Sequence, residues 1–271
     1  MIFFPLFDKF DYIYSVKKIY FEIKQIVVSF LRLFYALICG QSECAVCGKS
    51  VFSKPVCKAC LEKYFSVKKI FEVQRCERCG KELISEQKLC TKCRQQTVLK
   101  STDKIIPLYS YRLWNRELMF RWKMLGERSL SPIFAKLMNN VLKQSGQTVL
   151  IPIPPRKGKI RKQGWDQIDE LCQFLEKRYG FTVLKILERN SVVQQKTLSR
   201  TERLQSIKSA YSLCKTKLLN KRLKSFGGIL PESVCLIDDV CTTGATLESC
   251  AEILKSAGVK TVNAVTLFTV D

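Results

Sequence analysis

Short apolar runs in the second half of the chain predict buried strands. Residues 148–152 and 234–237 are apolar without polar alternation, which is typical of parallel strands that are covered on both faces. A further run over 262–268 predicts a final strand. We expect these strands to lie in one sheet.

Helical patterns separate these strands. Apolar residues recur at helical spacing over 165–179, and Gly180 follows where a helix end is expected. The same reasoning predicts a helix over 247–256 that ends before Gly258. Strands that alternate with helices predict an α/β domain over 103–271 with a mostly parallel, doubly wound sheet. Ligands of such sheets lie beyond the carboxyl ends of the strands.

Residues 1–40 predict an amphipathic helix with basic side chains outside its apolar stripe. The stripe consists of Ile13, Val16, Ile19, Ile23, Val27, Phe30, Phe34 and Leu37. The longest apolar run, 26–38, contains Arg32 and is shorter than the ~20 residues that cross a bilayer. We expect the stripe to pack against the protein's own domains, and a membrane surface is the alternative partner.

Composition adds a second module and a strong charge to this picture. The 271 residues, 46% of them hydrophobic, can bury one large core and leave a smaller module beside it. The formal net charge of +22 predicts an attraction to phosphates, nucleic acid or anionic lipid. Because Asp8 and Lys9 interrupt the first apolar stretch, no signal peptide is predicted, and we expect a cytoplasmic protein.

Eight of the 14 cysteines form four Cys-x-x-Cys pairs within residues 41–97. The pairs are Cys44 and Cys47, Cys57 and Cys60, Cys76 and Cys79, and Cys90 and Cys93. Because such a turn points two thiolates at one tetrahedral ion, the segment is predicted to be a double zinc ribbon with two structural Zn²⁺ sites. Sequential and crossed pairing of the turns both remain open, and the spacing favours sequential pairing.

Two adjacent acids follow the apolar run at 234–237. Asp238 and Asp239 precede a turn of small and hydroxylated residues that leads into the predicted helix over 247–256. The turn consists of Thr242, Thr243, Gly244, Ala245 and Thr246. Its backbone can wrap around an anion with amide groups pointing inward at a helix N-terminus. The acids would repel that anion, so we expect them to bind hydroxyl groups or Mg²⁺, and a sugar phosphate satisfies both halves of the turn.

Two basic segments are candidates for the rest of this site. Arg156 and Lys157 follow a predicted strand in a proline-rich loop, where fixed cations would neutralise a pyrophosphate leaving group. A polar stretch over 189–203, with Arg200 and Arg203 near its end, is predicted to close as a lid over the ligand. Solvated basic loops are the alternative interpretation of both segments.

The segment 234–246 resembles the signature of type I phosphoribosyltransferases, which consists of a hydrophobic strand, an acidic pair and a Thr/Gly loop. The resemblance implies that Asp238 and Asp239 are catalytic and hold the ribose 2′- and 3′-hydroxyls, while residues 242–246 hold the 5′-phosphate. Cys241 stands where an aliphatic or aromatic residue is usual. The implied ligand is phosphoribosyl pyrophosphate (PRPP) with Mg²⁺.

Residues 41–271 are similar to the ComF family of competence-associated, phosphoribosyltransferase-like proteins. The similarity also rests on the blocks 109–112, 123–127, 151–159 and 163–167. Family members commonly have Arg-Gly-Phe-Asn-Gln where this chain has Gln163-Gly164-Trp165-Asp166-Gln167. The resemblance implies a type I phosphoribosyltransferase domain behind a double zinc ribbon. It also implies a role in DNA uptake or nucleotide metabolism, with single-stranded DNA and a competence helicase or other DNA-processing proteins as partners.

Two functions of different classes fit these features. The first is a phosphoribosyltransferase, in which a nucleophile displaces pyrophosphate from Mg²⁺-bound PRPP. Because the chain has no histidine, its chemistry would depend mainly on electrostatic stabilisation. The second is a non-catalytic competence factor that binds PRPP and handles single-stranded DNA through salt-dependent backbone contacts. In either case the zinc module is also a candidate platform for docking proteins.

Overall fold

The computed structural model describes residues 42–52, 54–65, 70, 72–95, 99–111, 114–156, 158–160, 164–190 and 210–270 and five residues of the first 40. Those five are Ile19, Ile23, Ile26, Val27 and Phe30. They are helical, and each exposes half or more of its surface, so the expected packing of the stripe against the protein is not found at these positions. The rest of the predicted N-terminal helix lies outside the described residues. Among the described residues, none of the helices has the length and hydrophobicity of a membrane span.

The cysteine-rich segment consists of two short turns that are each followed by a helix. Its elements are the antiparallel strands β1 (Ser42–Glu43) and β2 (Ser50–Val51) and the helices α1 (Lys58–Tyr64) and α2 (Thr91–Gln95). Strand-like pairing recurs in the second half as a single bridge between Arg75 and Glu82. Because so few backbone pairs hold this segment, we expect side-chain contacts and bound metal to supply most of its stability.

The remaining elements form the α/β domain. Its strands are β3 (Lys104–Ser110), β4 (Val149–Pro152), β5 (Thr182–Val183), β6 (Leu187–Arg189), β7 (Tyr211–Leu213), β8 (Ser233–Cys241) and β9 (Thr261–Thr269). Its helices are α3 (Trp114–Lys123), α4 (Ser131–Gln144), α5 (Gln167–Tyr179), α6 (Thr216–Arg222) and α7 (Ala245–Ser256), with short 3-10 turns at Arg128–Leu130 and Lys224–Phe226.

A five-stranded sheet with the order β3-β9-β8-β4-β5 forms the centre of this domain, and all its pairs are parallel. Alternate residues of β8 enter different cores: Cys235 and Ile237 pack with α4 and α5, whereas Val234 and Leu236 pack with α7. Helices therefore cover both faces, which confirms the predicted doubly wound, mostly parallel sheet. Strands β6 and β7 form a separate antiparallel pair.

Strand β8 is longer than the apolar run that predicted it. Backbone pairing with β9 continues through Asp238 to Cys241, so both acids lie within the strand instead of following its end. The extension is possible because β8 is an inner strand whose partner β9 runs equally far. The acids therefore have fixed backbone positions.

Strand β3 was not predicted as a strand and forms the edge of the sheet. Pro107 interrupts its pattern, and proline is tolerated at an edge because its missing N–H faces away from the sheet partner. The second half of the cysteine-rich segment covers this edge: the backbone N–H of Ile105 donates to the carbonyl of Arg78 at 3.0 Å. The cysteine-rich segment thereby pairs with this edge of the sheet and shields it from other strands.

Candidate functional site

A cavity of about 540 Å³ opens beyond the carboxyl ends of β4 and β8. It is lined by Lys123, Ile153, Pro154, Pro155, Arg156, Lys159, Asp166, Gln167, Ile168, Arg189, Tyr211, Asp238, Asp239 and Thr246. Four cations and three acids face this space, which is the place where ligands of open parallel sheets bind. The lining includes four of the predicted site residues, which are the acidic pair, Arg156 and Thr246.

Asp239 is held in place by two side chains from distant parts of the chain. Its Oδ2 atom accepts hydrogen bonds from Lys123 Nζ on α3 and from Gln167 Nε2 on α5, each at 2.7 Å. The carboxylate is buried, with 6% of its residue surface exposed. A buried carboxylate needs such partners because its charge has lost hydration. Asp239 is therefore oriented before any ligand arrives.

Asp238 has a different environment. Its Oδ1 atom accepts the backbone N–H of Asp239 at 2.8 Å. Burial and the adjacent charge of Asp239 raise the pKa of Asp238 to about 8, and Lys123 opposes this shift only in part. Near neutral pH the carboxyl group therefore holds a proton for most of the time. A ligand that favours the ionised carboxylate would release that proton on binding.

The turn after β8 is shaped around Gly244. This glycine has φ +79°, in the left-handed region, and it is the N-cap of α7 with no side-chain capping bond. Beyond Ala245, the first amide groups of α7 have no side-chain cap and can donate to another acceptor, as at helix N-termini that bind phosphate. Ala245 N donates to Thr243 Oγ1 at 3.3 Å. Thr246 lines the cavity, whereas Thr242 and Thr243 are exposed.

A basic loop and the N-terminus of α5 form another wall of the cavity. Asp166 caps α5 by accepting the backbone N–H groups of Ile168 and Asp169, each at 3.0 Å. Its other oxygen accepts Lys159 Nζ at 2.6 Å, and Lys159 also contacts Gln167 Oε1. Lys159 is therefore fixed, whereas Arg156 on the same loop is exposed. Together these cations can meet an anion at the cavity mouth.

Three predicted binding residues and most of the predicted lid lie outside the described residues. Lys157, Arg200 and Arg203 are not among the described residues, and neither is the part of the lid segment over 191–203. Described residues lie on either side of that segment: Arg189 ends β6, and its guanidinium lies 5.4 Å from the ring centre of Tyr211 in β7. Both side chains line the cavity.

Sequence reasoning missed several cavity residues. The missed residues are Lys123, Lys159, Asp166, Gln167, Arg189 and Tyr211. Most of them lie in segments that had been noticed as family blocks or as basic stretches, but their roles depend on partners far away in sequence. Lys123 and Asp239 are 116 positions apart, so no local pattern shows their contact. The acid before a helix at Asp166 was the one local signal, because Asp is a favoured N-cap.

The eight paired cysteines form two clusters, one in each half of their segment. The sulfur atoms of Cys44, Cys47, Cys57 and Cys60 lie within 4.8 Å of one another, and so do those of Cys76, Cys79, Cys90 and Cys93. Two separations, Cys47 to Cys57 and Cys79 to Cys90, are 3.8 Å and 3.7 Å. A tetrahedral ion with ~2.3 Å bonds to sulfur requires sulfur atoms about 3.8 Å apart. The turns therefore pair sequentially, and each cluster can hold one metal ion.

The electrostatics of the cysteines favour a bound cation. Burial opposes ionisation of Cys44, but backbone N–H groups, first that of Cys57, lower its pKa to about 6. Similar backbone bonds outweigh burial at Cys76 and lower its pKa to about 7. Burial and the neighbouring sulfurs raise the pKa of Cys60 and of Cys79 far above the ordinary range. A divalent cation would stabilise all four thiolates together, so that the buried cysteines with raised pKa values could also ionise.

Comparison with known proteins agrees with this architecture. A family model described as a phosphoribosyl transferase domain matches residues 172–271. Competence protein F of Haemophilus influenzae is 27% identical over 209 residues, which cover 72% of this chain and 84% of that protein. Competence protein ComFC of Bacillus subtilis is 26% identical over 215 residues, covering 76% of this chain and 81% of the relative.

A third relative is matched over a shorter region. Competence protein ComFC of Streptococcus pneumoniae is 26% identical over 160 residues, which are 59% of this chain and 66% of that protein. The three relatives carry competence names, and the matched domain forms the C-terminal part of the fold described above. Together with the parallel sheet, the acid pair and the two four-cysteine clusters, these matches show a phosphoribosyl transferase domain over residues 172–271 in a chain that is similar to the competence proteins, and they agree with the resemblance to the ComF family.

Proposed function

We propose that this protein binds PRPP with Mg²⁺ at the turn between β8 and α7, and that it serves DNA uptake. The observation that carries the proposal is the combination of an acid pair near the end of β8 with the N-terminus of α7, which has no side-chain cap, beside a cavity of about 540 Å³. The acids suit the ribose hydroxyls, and the helix amides suit the 5′-phosphate. The phosphoribosyl transferase match and the competence names of the relatives support the same proposal.

The basic wall of the cavity fits the pyrophosphate end of PRPP. Lys159, Arg156 and Arg189 line the cavity together with the acid pair. Charge-assisted bonds from such fixed cations to phosphate oxygens are stronger than neutral hydrogen bonds. Mg²⁺ bound with PRPP would supply further neutralisation of the pyrophosphate charge. In this arrangement the two ends of the ligand are held by different elements.

The residues present favour a reaction that needs little proton transfer. The chain has no histidine, so a carboxylate or the acceptor itself would have to manage the proton of the nucleophile. Lys159 and Arg156 would stabilise the charge that develops on departing pyrophosphate. The acid pair would hold the ribose while its anomeric carbon is attacked. We propose phosphoribosyl transfer as the reaction class if an acceptor enters the cavity.

Isothermal calorimetry with PRPP and Mg²⁺ tests the binding proposal. We expect the wild type to bind and the double variant Asp238→Asn, Asp239→Asn to lose binding, with zinc content as the control for folding. Thr216→Ala, a helix-start residue of α6 outside the cavity, is a matched polar control that should bind normally. Equal affinity of the wild type and the double variant would refute the assignment.

A second candidate function is a PRPP-binding factor without transfer activity that handles single-stranded DNA. The net charge of +22 and the competence names of the relatives favour it. Lys and Arg contacts to the DNA backbone release counterions, so the affinity for a labelled oligonucleotide should fall steeply between low and physiological salt. DNA-processing proteins such as a competence helicase are further partners under this proposal.

Incubation with labelled PRPP, Mg²⁺ and a panel of nucleobases separates the two candidates. Release of pyrophosphate that depends on one base, and is lost in the Asp238→Asn, Asp239→Asn variant, would establish transfer and identify the acceptor. PRPP binding without pyrophosphate release across the panel, together with salt-dependent DNA binding, would favour the non-catalytic factor. Salt-independent DNA binding would contradict a backbone-contact surface.

We also propose Zn²⁺ as the ion in both cysteine clusters and the cytoplasm as the site of action. Four thiolates at tetrahedral spacing are the ligand set of structural zinc sites, and they leave no position for a catalytic water. Thiols in such sites persist in a reducing compartment, which supports a cytoplasmic protein. Elemental analysis of the purified protein should find two zinc ions per chain.

A further inference from the structure

The second cysteine cluster lies directly against the turn that is proposed to hold the sugar phosphate. A narrow crevice of about 70 Å³ separates them. Cys79, Cys90 and Cys93 line one side of it, and Thr242, Thr243 and Gly244 line the other. The metal cluster and the phosphate turn are therefore neighbours, although they are about 150 positions apart in sequence.

Leu99 joins the two across this crevice. It follows the second cluster in sequence, is only 4% exposed, and packs on Gly244. A β-carbon added to Gly244 would lie 2.9 Å from Leu99 Cδ2, so the side chain already fills the space above the backbone of the turn. Any displacement of Leu99 would change the packing of the turn at its most constrained residue.

Glu248 makes a second connection from the first turn of α7. Its carboxylate accepts the backbone N–H groups of Lys100, Ser101 and Thr102 at 2.8, 2.7 and 3.0 Å. It also accepts the hydroxyl of Thr102 at 2.9 Å. The helix whose N-terminus would receive the phosphate is thus fastened to the segment that leaves the metal cluster.

The cluster itself is fixed to the edge of the sheet. The guanidinium of Arg75 donates to the carbonyls of Gly80 and Pro107 at 3.0 and 3.1 Å. A β-carbon added to Gly80 would lie 2.2 Å from Pro107 Cδ, which shows how closely the cysteine turn approaches β3. Movement of the second cluster would therefore be transmitted to β3 and to the turn beside it.

Charge is balanced at this junction. Four thiolates on a zinc ion carry about two negative charges, which would repel a phosphate on the neighbouring turn. Lys81 and Lys92 line the same crevice and can offset that charge. At this junction, close packing is thus combined with lysines that offset the negative charge of the metal cluster, and a phosphate can bind nearby.

We propose that metal binding in the second cluster and sugar-phosphate binding at the β8–α7 turn are energetically coupled, with Leu99 and Glu248 as positioning residues. The inference rests on the proposed function, because it requires a sugar phosphate at that turn. The first cluster is an internal control, since its cysteines line neither the cavity nor the crevice described above. Coupling between two ligands is reciprocal, so the sugar phosphate must also tighten metal retention.

Thiol protection in the full-length, zinc-loaded protein measures this coupling. Zinc is withdrawn by a chelator, and freed thiols are alkylated and located by peptide mass spectrometry, with and without saturating ribose 5-phosphate. We expect the ligand to slow alkylation of Cys76–Cys93 by about fivefold or more and to leave Cys44–Cys60 unchanged. Equal slowing of alkylation in both clusters would indicate general stabilisation of the fold and would overturn the coupling. Unchanged alkylation of the second cluster would overturn it as well.

Variants separate positioning from folding. Leu99→Ala should weaken ribose 5-phosphate binding in calorimetry by about tenfold, leave pyrophosphate affinity unchanged and abolish the ligand's effect on the second cluster. Leu137→Ala, at a leucine of similar burial in the core on the other face of the sheet, should lower thermal stability without changing either affinity. Loss of both affinities in Leu99→Ala would overturn the positioning role.

The same calorimetry distinguishes a failure of the proposed function from a failure of the coupling alone. Absence of ribose 5-phosphate binding to the wild type would overturn the proposed function and the coupling together. Binding to the wild type with unchanged thiol protection would overturn the coupling alone.

Discussion

Replacing Asp238 by asparagine should stabilise the unliganded protein at high pH. Burial and the charge of Asp239 raise the pKa of Asp238 to about 8, whereas an unfolded aspartate titrates near ~3.9. The folded protein therefore holds this proton more tightly than the unfolded chain does. Stability conferred by the protonated group is lost as pH rises from about 4 to about 8. Asparagine carries no charge, and its Oδ1 can still accept the backbone N–H of Asp239.

The expected gain in the free energy of unfolding follows from the pH interval. Each pKa unit corresponds to about 1.4 kcal/mol, so the interval from pH 6.5 to the raised pKa of about 8 allows a change of about 2 kcal/mol. Solvent at the cavity mouth screens the charge, and we expect about 1–2 kcal/mol. That corresponds to about 2–8 °C in melting temperature for a protein of this size.

Thermal melts of zinc-loaded wild type and Asp238→Asn, recorded between pH 6.5 and 9, measure this effect. The advantage of the variant should grow up to about pH 8.5 and then level off. Asp239→Asn is the matched control, and it should destabilise the protein at pH 6.5, where Asp238 is mostly protonated, because Lys123 and Gln167 lose a charged acceptor. A pH-independent gap for Asp238→Asn, or equal behaviour of the two variants, would refute this reasoning.

Three further predictions concern the turn, the basic wall and the metal. Gly244→Ala should abolish ribose 5-phosphate binding in calorimetry and lower the free energy of unfolding by about 1–2 kcal/mol. The reason is that φ is +79° and the new β-carbon would lie 2.9 Å from Leu99. Unchanged binding would mean that the phosphate binds elsewhere. Lys159→Ala should weaken pyrophosphate binding by about tenfold in competition calorimetry while ribose 5-phosphate binds normally. Equal losses for both ligands would contradict the proposal that different elements bind the two ends of PRPP. Chelation should release two zinc ions and open residues 42–95 to protease, and an unchanged digestion pattern would argue against a structural metal.

Three strands of the sheet and two of its covering helices could be predicted because their signals are local. Residues 149–152 and 234–237 are buried on both faces of the sheet, as is typical of strands that are apolar throughout, and in 262–268 all residues but Asn263 are buried. The helix over 165–179 was predicted with its end at Gly180, which has φ +81° as a left-handed cap requires. Strand β3 escaped prediction because Pro107 breaks the pattern and an edge position tolerates it.

The candidate site could be predicted only in part, for a related reason. Asp238 and the turn at 242–246 form one continuous motif, so their chemistry is visible in the sequence. Lys123 gains its role from Asp239, 116 positions away, and Gln167 from the same acid 72 positions away. The contact of Leu99 with the turn depends likewise on how the cysteine-rich segment folds onto β3. Spacing predicts ligand sets, whereas the orientation of the two modules comes from tertiary packing.

Crystals grown with PRPP and Mg²⁺ test the central claim most directly. We predict density for the ribose hydroxyls at Asp238 and Asp239, for the 5′-phosphate within hydrogen-bonding distance of the first amides of α7, and for pyrophosphate near Lys159. Density for the ligand at another surface, with the β8–α7 turn free of it, would contradict the account.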